Sequence, residues 1–194
     1  MFYRRFRDAN LRFNPFGELP PGERGRLVVG NLPPVNEHLE ILADAGHGKS
    51  SSLLALALRH PEARYIYVPE GESSIDTTPV RLLLLDEAQR VRPRILRRMV
   101  RQGTTLVMGT HEPMANRLRV AVKRWPLPPL GLSRLRAIVD RRIAHAQVRP
   151  GASLEVSDER LIQLLERFQG NIRAIEDALY DAVQKALEDG HVRI

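Results

Sequence analysis

Ala43-Asp44-Ala45-Gly46-His47-Gly48-Lys49-Ser50 decides the fold. These residues have the spacing of a phosphate-binding turn, G-x-x-x-x-G-K-[ST], with alanine in the first glycine position. Glycines at 46 and 48 let the backbone N–H groups from Ala45 through Ser51 (Gly46, His47, Gly48, Lys49 and Ser50 between them) turn inward on an anion. Lys49 then reaches β- and γ-phosphates, and the Ser50 hydroxyl is a ligand for Mg²⁺. A helix starting at this point aims its unpaired donors and positive dipole end at the same anion. His47 contributes its backbone N–H, since a metal role needs further ligands that the sequence does not cluster. Ala43 narrows the loop's freedom, because glycine alone tolerates positive φ without strain. A glycine-rich joint with no ligand is the competing reading, and the context decides against it: a strand precedes, a helix follows, and an apolar strand ending in acids lies downstream.

Leu39 to Ala43 reads as the entering strand, and Ser50 to Arg59, with Leu53, Leu54, Leu56 and Leu58 among alanines, as the leaving helix. Arg64 to Val68 predicts a second strand, stopped by Pro69. Val80 to Leu85 is apolar apart from Arg81, the composition of a strand buried on both faces of a parallel sheet. A helix over about Pro93 to Gln102, a strand over Thr104 to Gly109, a helix from Glu112 to about Leu118 and an edge strand over Arg119 to Trp125 follow. Beyond Gly131 the pattern is helical only: Leu132 to Ala146, Ser157 to Phe168 with Ser157 as N-cap, and Asn171 to about Glu188. The alternation predicts an α/β fold, a parallel-sheet P-loop core followed by a small C-terminal helical lid. The expected division is a leader rich in Arg, Pro and Gly over residues 1–35, a nucleotide-binding core over 36–130 and a three-helix lid over 131–194.

Leu82-Leu83-Leu84-Leu85-Asp86-Glu87 puts two carboxylates at the end of a buried strand. Asp86 is placed to hold the magnesium shell, and Glu87 to orient and deprotonate an attacking water. Thr110, at the tip of the next strand, is a candidate to sense the γ-phosphate or position that water, with His111 as the alternative. The catalytic candidates are therefore Lys49, Glu87 and Thr110.

The chain has 194 residues, 43% of them apolar, enough for one domain and a small appendage. Its net charge of +7 is carried almost wholly by arginine, lysine occurring only at 49, 123 and 185, and it makes anionic partners plausible. Absence of cysteine excludes disulfides, thiolate metal sites and cysteine nucleophiles. The first residues lack the apolar stretch of a signal peptide, and the runs around Leu53 to Leu58 and Leu82 to Leu85 are too short to cross a bilayer. A soluble, cytoplasmic protein without membrane contact is expected.

Taken in order, the phosphate turn, the acidic strand end and Gly109-Thr110 resemble the AAA+ ATPases, over about Asn14 to Tyr180. Leu-Leu-Asp-Glu-Ala-Gln, with Asn14-Pro15-Phe16 upstream, is similar to the compact branch of transposition (TniB/TnsC-like) and ExeA-type ATPases. The resemblance implies ATP and Mg²⁺ as cofactors. It also implies a second sensor in Gly170-Asn171-Ile172-Arg173, with Arg173 reaching the nucleotide phosphates; without it, Arg173 reads as a first-turn surface arginine. Members often take an arginine from the next subunit, so a homo-oligomer or partner protein is implied; Arg117, Arg119 and Arg124 lie in the right region, with no choice among them. Only Pro69 to Pro79 joins the second strand to the acidic one, barely enough for a parallel crossover, so the helix usual there is expected to shrink to a loop.

Arg90, Arg92, Arg94, Arg97, Arg98 and Arg101 crowd the segment after the acids, and on a helix Arg94, Arg97, Arg98 and Arg101 share one face. The Arg90–Arg101 segment is thus a candidate surface for duplex DNA, against the plainer reading of a solvated face. Two functions stand side by side: an ATPase switch, and a nucleotide-binding module with negligible turnover serving regulation or assembly.

Overall fold

The computed structural model describes residues 2–188 and Arg193. In chain order the elements are α1 (Phe2–Asp8), α2 (Pro21–Arg26), β1 (Leu39–Leu42), α3 (Lys49–Arg59), β2 (Arg64–Tyr67), β3 (Leu82–Asp86) and a 3₁₀ turn at Ala88–Arg90. There follow α4 (Pro93–Arg101), β4 (Thr105–Thr110), α5 (Ala115–Leu118), β5 (Lys123–Arg124), α6 (Leu132–Ala146), α7 (Asp158–Phe168) and α8 (Ile172–Glu188). Two units pack internally: residues 20–128, and residues up to 19 together with those from 129 onward. The stretch expected as a leader is shared between them.

In the first unit five parallel strands run in the order β2-β3-β4-β1-β5. The side-chain period of two sorts the apolar residues onto both faces. Leu39, Ile41, Leu82, Leu84 and Val107 pack with Leu53 and Leu56 of α3. Leu83, Leu85, Leu106 and Met108 pack on the other face with Leu96 and Met99 of α4 and Leu118 of α5. Glu40 is the exception on β1. Buried to 3% exposure, it accepts Arg124 Nε at 3.0 Å and the Met114 backbone N–H at 2.8 Å, so a charged strut fastens the short edge strand β5 to the sheet.

The segments expected at 112–118 and 119–125 shorten to one helical turn and a two-residue strand. Both follow from local chemistry: the Thr110 hydroxyl is taken by the Glu112 backbone, and Arg119 lies at φ 60°, so neither run extends. Between β2 and β3 there is no helix, as expected from the short connection. Side chains hold this crossover instead. Arg64 donates to Asp76 Oδ2 at 2.7 Å and to the Thr78 carbonyl at 3.0 Å, while Asp76 Oδ1 accepts both the N–H and the hydroxyl of Thr78.

The helical unit buries Leu135, Val139, Leu161, Leu164, Ile175, Leu179 and Val183 around a shared core. Ser157 caps α7 by accepting the Arg160 N–H, and Asn171 caps α8 by accepting that of Ala174. Leu11 and Phe16 complete this core. Asn14 pins the segment by donating to the Tyr180 carbonyl at 3.0 Å while accepting the Phe16 N–H.

Helix α2 lies against α3 with no room for a side chain at Gly25, where a Cβ would come within 2.9 Å of the Leu54 carbonyl group. Gly25→Ala is therefore expected to lower the unfolding free energy by about 1–3 kcal/mol in urea titrations despite alanine's better helix propensity. Gly22→Ala, where nothing lies within 4 Å, should leave stability unchanged or raise it. Equal effects at the two positions would show that α2 is not held against α3.

Candidate functional site

The phosphate turn leaves β1 and enters α3 through two residues in the left-handed region, Gly46 at φ 79° and Gly48 at φ 94°. These are the positions where only glycine is unstrained. Ala43 lies outside that region, so the alanine in the first glycine position costs nothing in backbone strain. Gly48 stands at the N-cap of α3, where no side chain caps the helix.

Lys49 is buried to 4% exposure. Its ammonium folds back over its own loop, donating to the carbonyls of Ala43 at 2.7 Å and Asp44 at 2.8 Å, with His111 Nδ1 at 3.4 Å. The Ser50 side chain makes no hydrogen bond among the described residues, whereas the Ser51 hydroxyl accepts Arg24 Nε at 3.0 Å.

Parallel pairing sets Asp86 opposite Gly109, and Gly109 opposite Ile41 of the strand that feeds the turn. A methyl at Gly109 would lie 3.0 Å from Asp86 Oδ1, 2.9 Å from Leu53 Cδ1 and 3.6 Å from Lys49 Cβ. Lysine and aspartate thus flank one crevice. Asp86 is 1% exposed; its Oδ2 accepts the Tyr65 hydroxyl at 3.1 Å, and its Oδ1 is buried with no hydrogen-bond partner. Burial, and then the neighbouring carboxylate, push the Tyr65 phenol above its ordinary value, so it stays protonated and donates.

Glu87, the next residue, adopts φ 61° and ψ 42° and turns the chain out of the strand. Three groups hold its carboxylate: Gln89 Nε2 at 2.7 Å, His111 Nε2 at 3.3 Å and Arg90 at 3.5 Å. Since Lys49 has protons only to give, His111 Nδ1 accepts and Nε2 carries the proton toward Glu87. Of the two candidates at the β4 tip, His111 therefore stands between Lys49 and Glu87. The Thr110 hydroxyl is buried, donating to the Glu112 carbonyl at 2.8 Å and accepting the Glu112 N–H at 3.1 Å.

Arg117 donates to the Gln89 carbonyl at 3.0 Å and Arg124 pairs with Glu40, while Arg119 is exposed. Arg173 lies on the first turn of α8 in the helical unit. Arg90 and Arg92 also serve the crossover, donating to the carbonyls of Val68 and Ser73, with Arg92 still exposed. On α4, Arg94, Arg98 and Arg101 are exposed and Arg97 half-buried, opposite the buried Leu96 and Met99.

Tyr65 and Arg24 were not singled out from the sequence. Each meets its partner through strand pairing or helix packing, and nothing local to the residue signals it.

No protein-family profile and no curated protein matches this chain. Solved structures do. A RuvB variant of Thermotoga maritima superposes with a TM-score of 0.62 at 16% identity, over 82% of this chain and 59% of that one. A second RuvB variant gives 0.62 at 17% identity, over the same shares of the two chains. Domain III of the Thermotoga maritima replication initiation protein DnaA gives 0.55 at 16% identity, over 80% and 78%. The chain thus spans about three fifths of the RuvB length. Among the described residues no helix is long and apolar enough to cross a membrane.

Because the Gly109 crevice is already filled, Gly109→Ala should cost about 1–3 kcal/mol in equilibrium unfolding. A variant as stable as the parent would mean that Asp86 and Leu53 can move aside. The fold is α/β, a five-stranded parallel sheet with flanking helices, and it is shared with the RuvB variants and with DnaA domain III.

Proposed function

We propose that this chain binds ATP with Mg²⁺ and hydrolyses it to ADP and phosphate, as a switch coupled to a partner in the cytoplasm. One observation carries the proposal: Lys49 of the phosphate turn and Asp86 of the acidic strand share a crevice, and Asp86 Oδ1 is buried there without a partner. An orphaned buried carboxylate oxygen is costly, and a cation relieves that cost. Among the described residues no cluster of three or more acids and histidines could hold a metal by itself. Asp86 and the free Ser50 hydroxyl do fit Mg²⁺, which is commonly held by one or two protein groups plus substrate phosphates. When bound, the ion neutralises charge on the β- and γ-phosphate oxygens.

The turn from Ala45 to Ser51 binds the phosphates through backbone N–H groups. Lys49 exchanges its loop carbonyls for phosphate oxygens. Glu87 accepts a proton from the water that attacks the γ-phosphorus, and the bond to the bridging oxygen of ADP breaks. His111 orients Glu87, taking the place proposed for Thr110. Arg173 is the proposed second sensor, and Arg119 is the arginine available to a neighbouring subunit. Membership of the compact TniB/TnsC-like and ExeA-type branch is part of the proposal, supported by the core position of Phe16 and the pinned Asn14.

A second reading, nucleotide binding with negligible turnover, is favoured by the three groups that hold Glu87. Turnover assays separate the two. Lys49→Ala should abolish nucleotide-dependent thermal stabilisation, and Glu87→Gln should keep it while losing phosphate release. Wild-type binding by Lys49→Ala refutes the assignment; stabilisation of the wild type without phosphate release selects the binding module.

The exposed arginines of α4 support duplex DNA as partner, through phosphate contacts without base reading. Arg97→Ala/Arg98→Ala should weaken binding to a duplex and flatten its salt dependence. Unchanged binding would remove α4 as the contact.

A further inference from the structure

We propose that Tyr65 is a positioning residue for the metal carboxylate: its hydroxyl fixes Asp86 so that one oxygen is permanently engaged and the other faces the phosphate turn. The inference rests on the Mg-ATP reading and deepens it.

A buried carboxylate has about four acceptor positions on two oxygens, and the orientation of its plane decides which oxygen meets an incoming cation. At Asp86 the choice is made from the neighbouring strand. Tyr65 lies on β2 opposite Leu84, two residues short of Asp86 along β3. Its ring packs against the core on the α3 face of the sheet, the face that carries Lys49. From there the hydroxyl donates to Asp86 Oδ2 at 3.1 Å. Asp86 Oδ1 is left beside Gly109, whose open Cα position also borders Lys49 Cβ, and is buried without a partner.

Two consequences follow. Because Asp86 is 1% exposed, water cannot substitute for the phenol in holding the carboxylate plane. Because the tyrosine hydroxyl is a neutral donor, it orients the carboxylate without cancelling the charge that attracts the ion. Lysine or arginine at the same place would pair with Asp86 and compete with the cation. Supporting hydrogen bonds of this kind typically change metal affinity by about 10–100-fold when removed.

The test is Tyr65→Phe, which deletes the oxygen and keeps the ring in the core. ATP binding by the whole chain is measured in EDTA, and Mn²⁺ affinity of the ATP-loaded chain by electron paramagnetic resonance. The expected result is ATP affinity in EDTA within about twofold of wild type and Mn²⁺ affinity weakened about tenfold or more. In an Asp86→Asn background the further change to phenylalanine should have no effect on Mn²⁺ affinity, since the group that Tyr65 positions is gone. A merely structural tyrosine would lower thermal stability in both backgrounds and leave Mn²⁺ affinity untouched. Wild-type Mn²⁺ affinity in Tyr65→Phe overturns the role of Tyr65 alone. A wild-type chain that binds no ATP under either condition overturns the Mg-ATP reading and this inference with it.

Discussion

There is no room for a side chain at position 109, and the site is built around that exclusion. Three parallel strands and the first turn of α3 converge there, bringing Asp86 Oδ1, Leu53 and Lys49 Cβ around one bare backbone position. The approach is possible because β3, β4 and β1 are neighbours in the sheet, so that the acidic strand end and the strand feeding the turn sit on either side of Gly109. Burial on both faces of these strands gives the crevice its low dielectric, which strengthens any interaction formed in it and makes an unpaired charge expensive.

The two charged groups of the crevice are satisfied to different degrees. The Lys49 ammonium has acceptors in its own loop and in His111. The Asp86 carboxylate has one donor and one bare oxygen. A triphosphate with its cation, the ligand proposed above, would match that asymmetry: the lysine would exchange acceptors of similar kind, and the carboxylate would gain a positive neighbour. His111 joins the turn to Glu87, so a shift of Lys49 toward phosphate would be felt by Glu87, whose left-handed backbone is a strained conformation for a residue with a side chain.

Away from the crevice, side chains replace secondary structure. The crossover from β2 to β3 is held by Arg64, Asp76 and Thr78, and by Arg90 and Arg92 from beyond the acids. Arg90 and Arg92, expected in the basic surface, also donate to the loop carbonyls of Val68 and Ser73, and Arg92 remains exposed. The helical unit likewise takes its N-terminal closure from Leu11, Asn14 and Phe16, which lie in a stretch whose prolines and arginines read as non-core.

The sequence by itself determined β1, α3, β2, β3, α4 and β4 to within a residue or two, the glycines of the turn, the acidic strand end and the loop between β2 and β3, but not α2 or the short extents of α5 and β5. Each is a local property: an apolar run, a period, a φ that only glycine adopts, a connection too short for a helix. Ser157 was legible as a cap for the same reason. Only the tertiary structure decided that Tyr65 holds Asp86, that Arg24 holds Ser51, that His111 rather than Thr110 stands between Lys49 and Glu87, and that position 109 must be bare. Those contacts join residues far apart in the chain through strand order and helix packing, and no periodicity or motif in one segment carries information about which distant segment lies beside it.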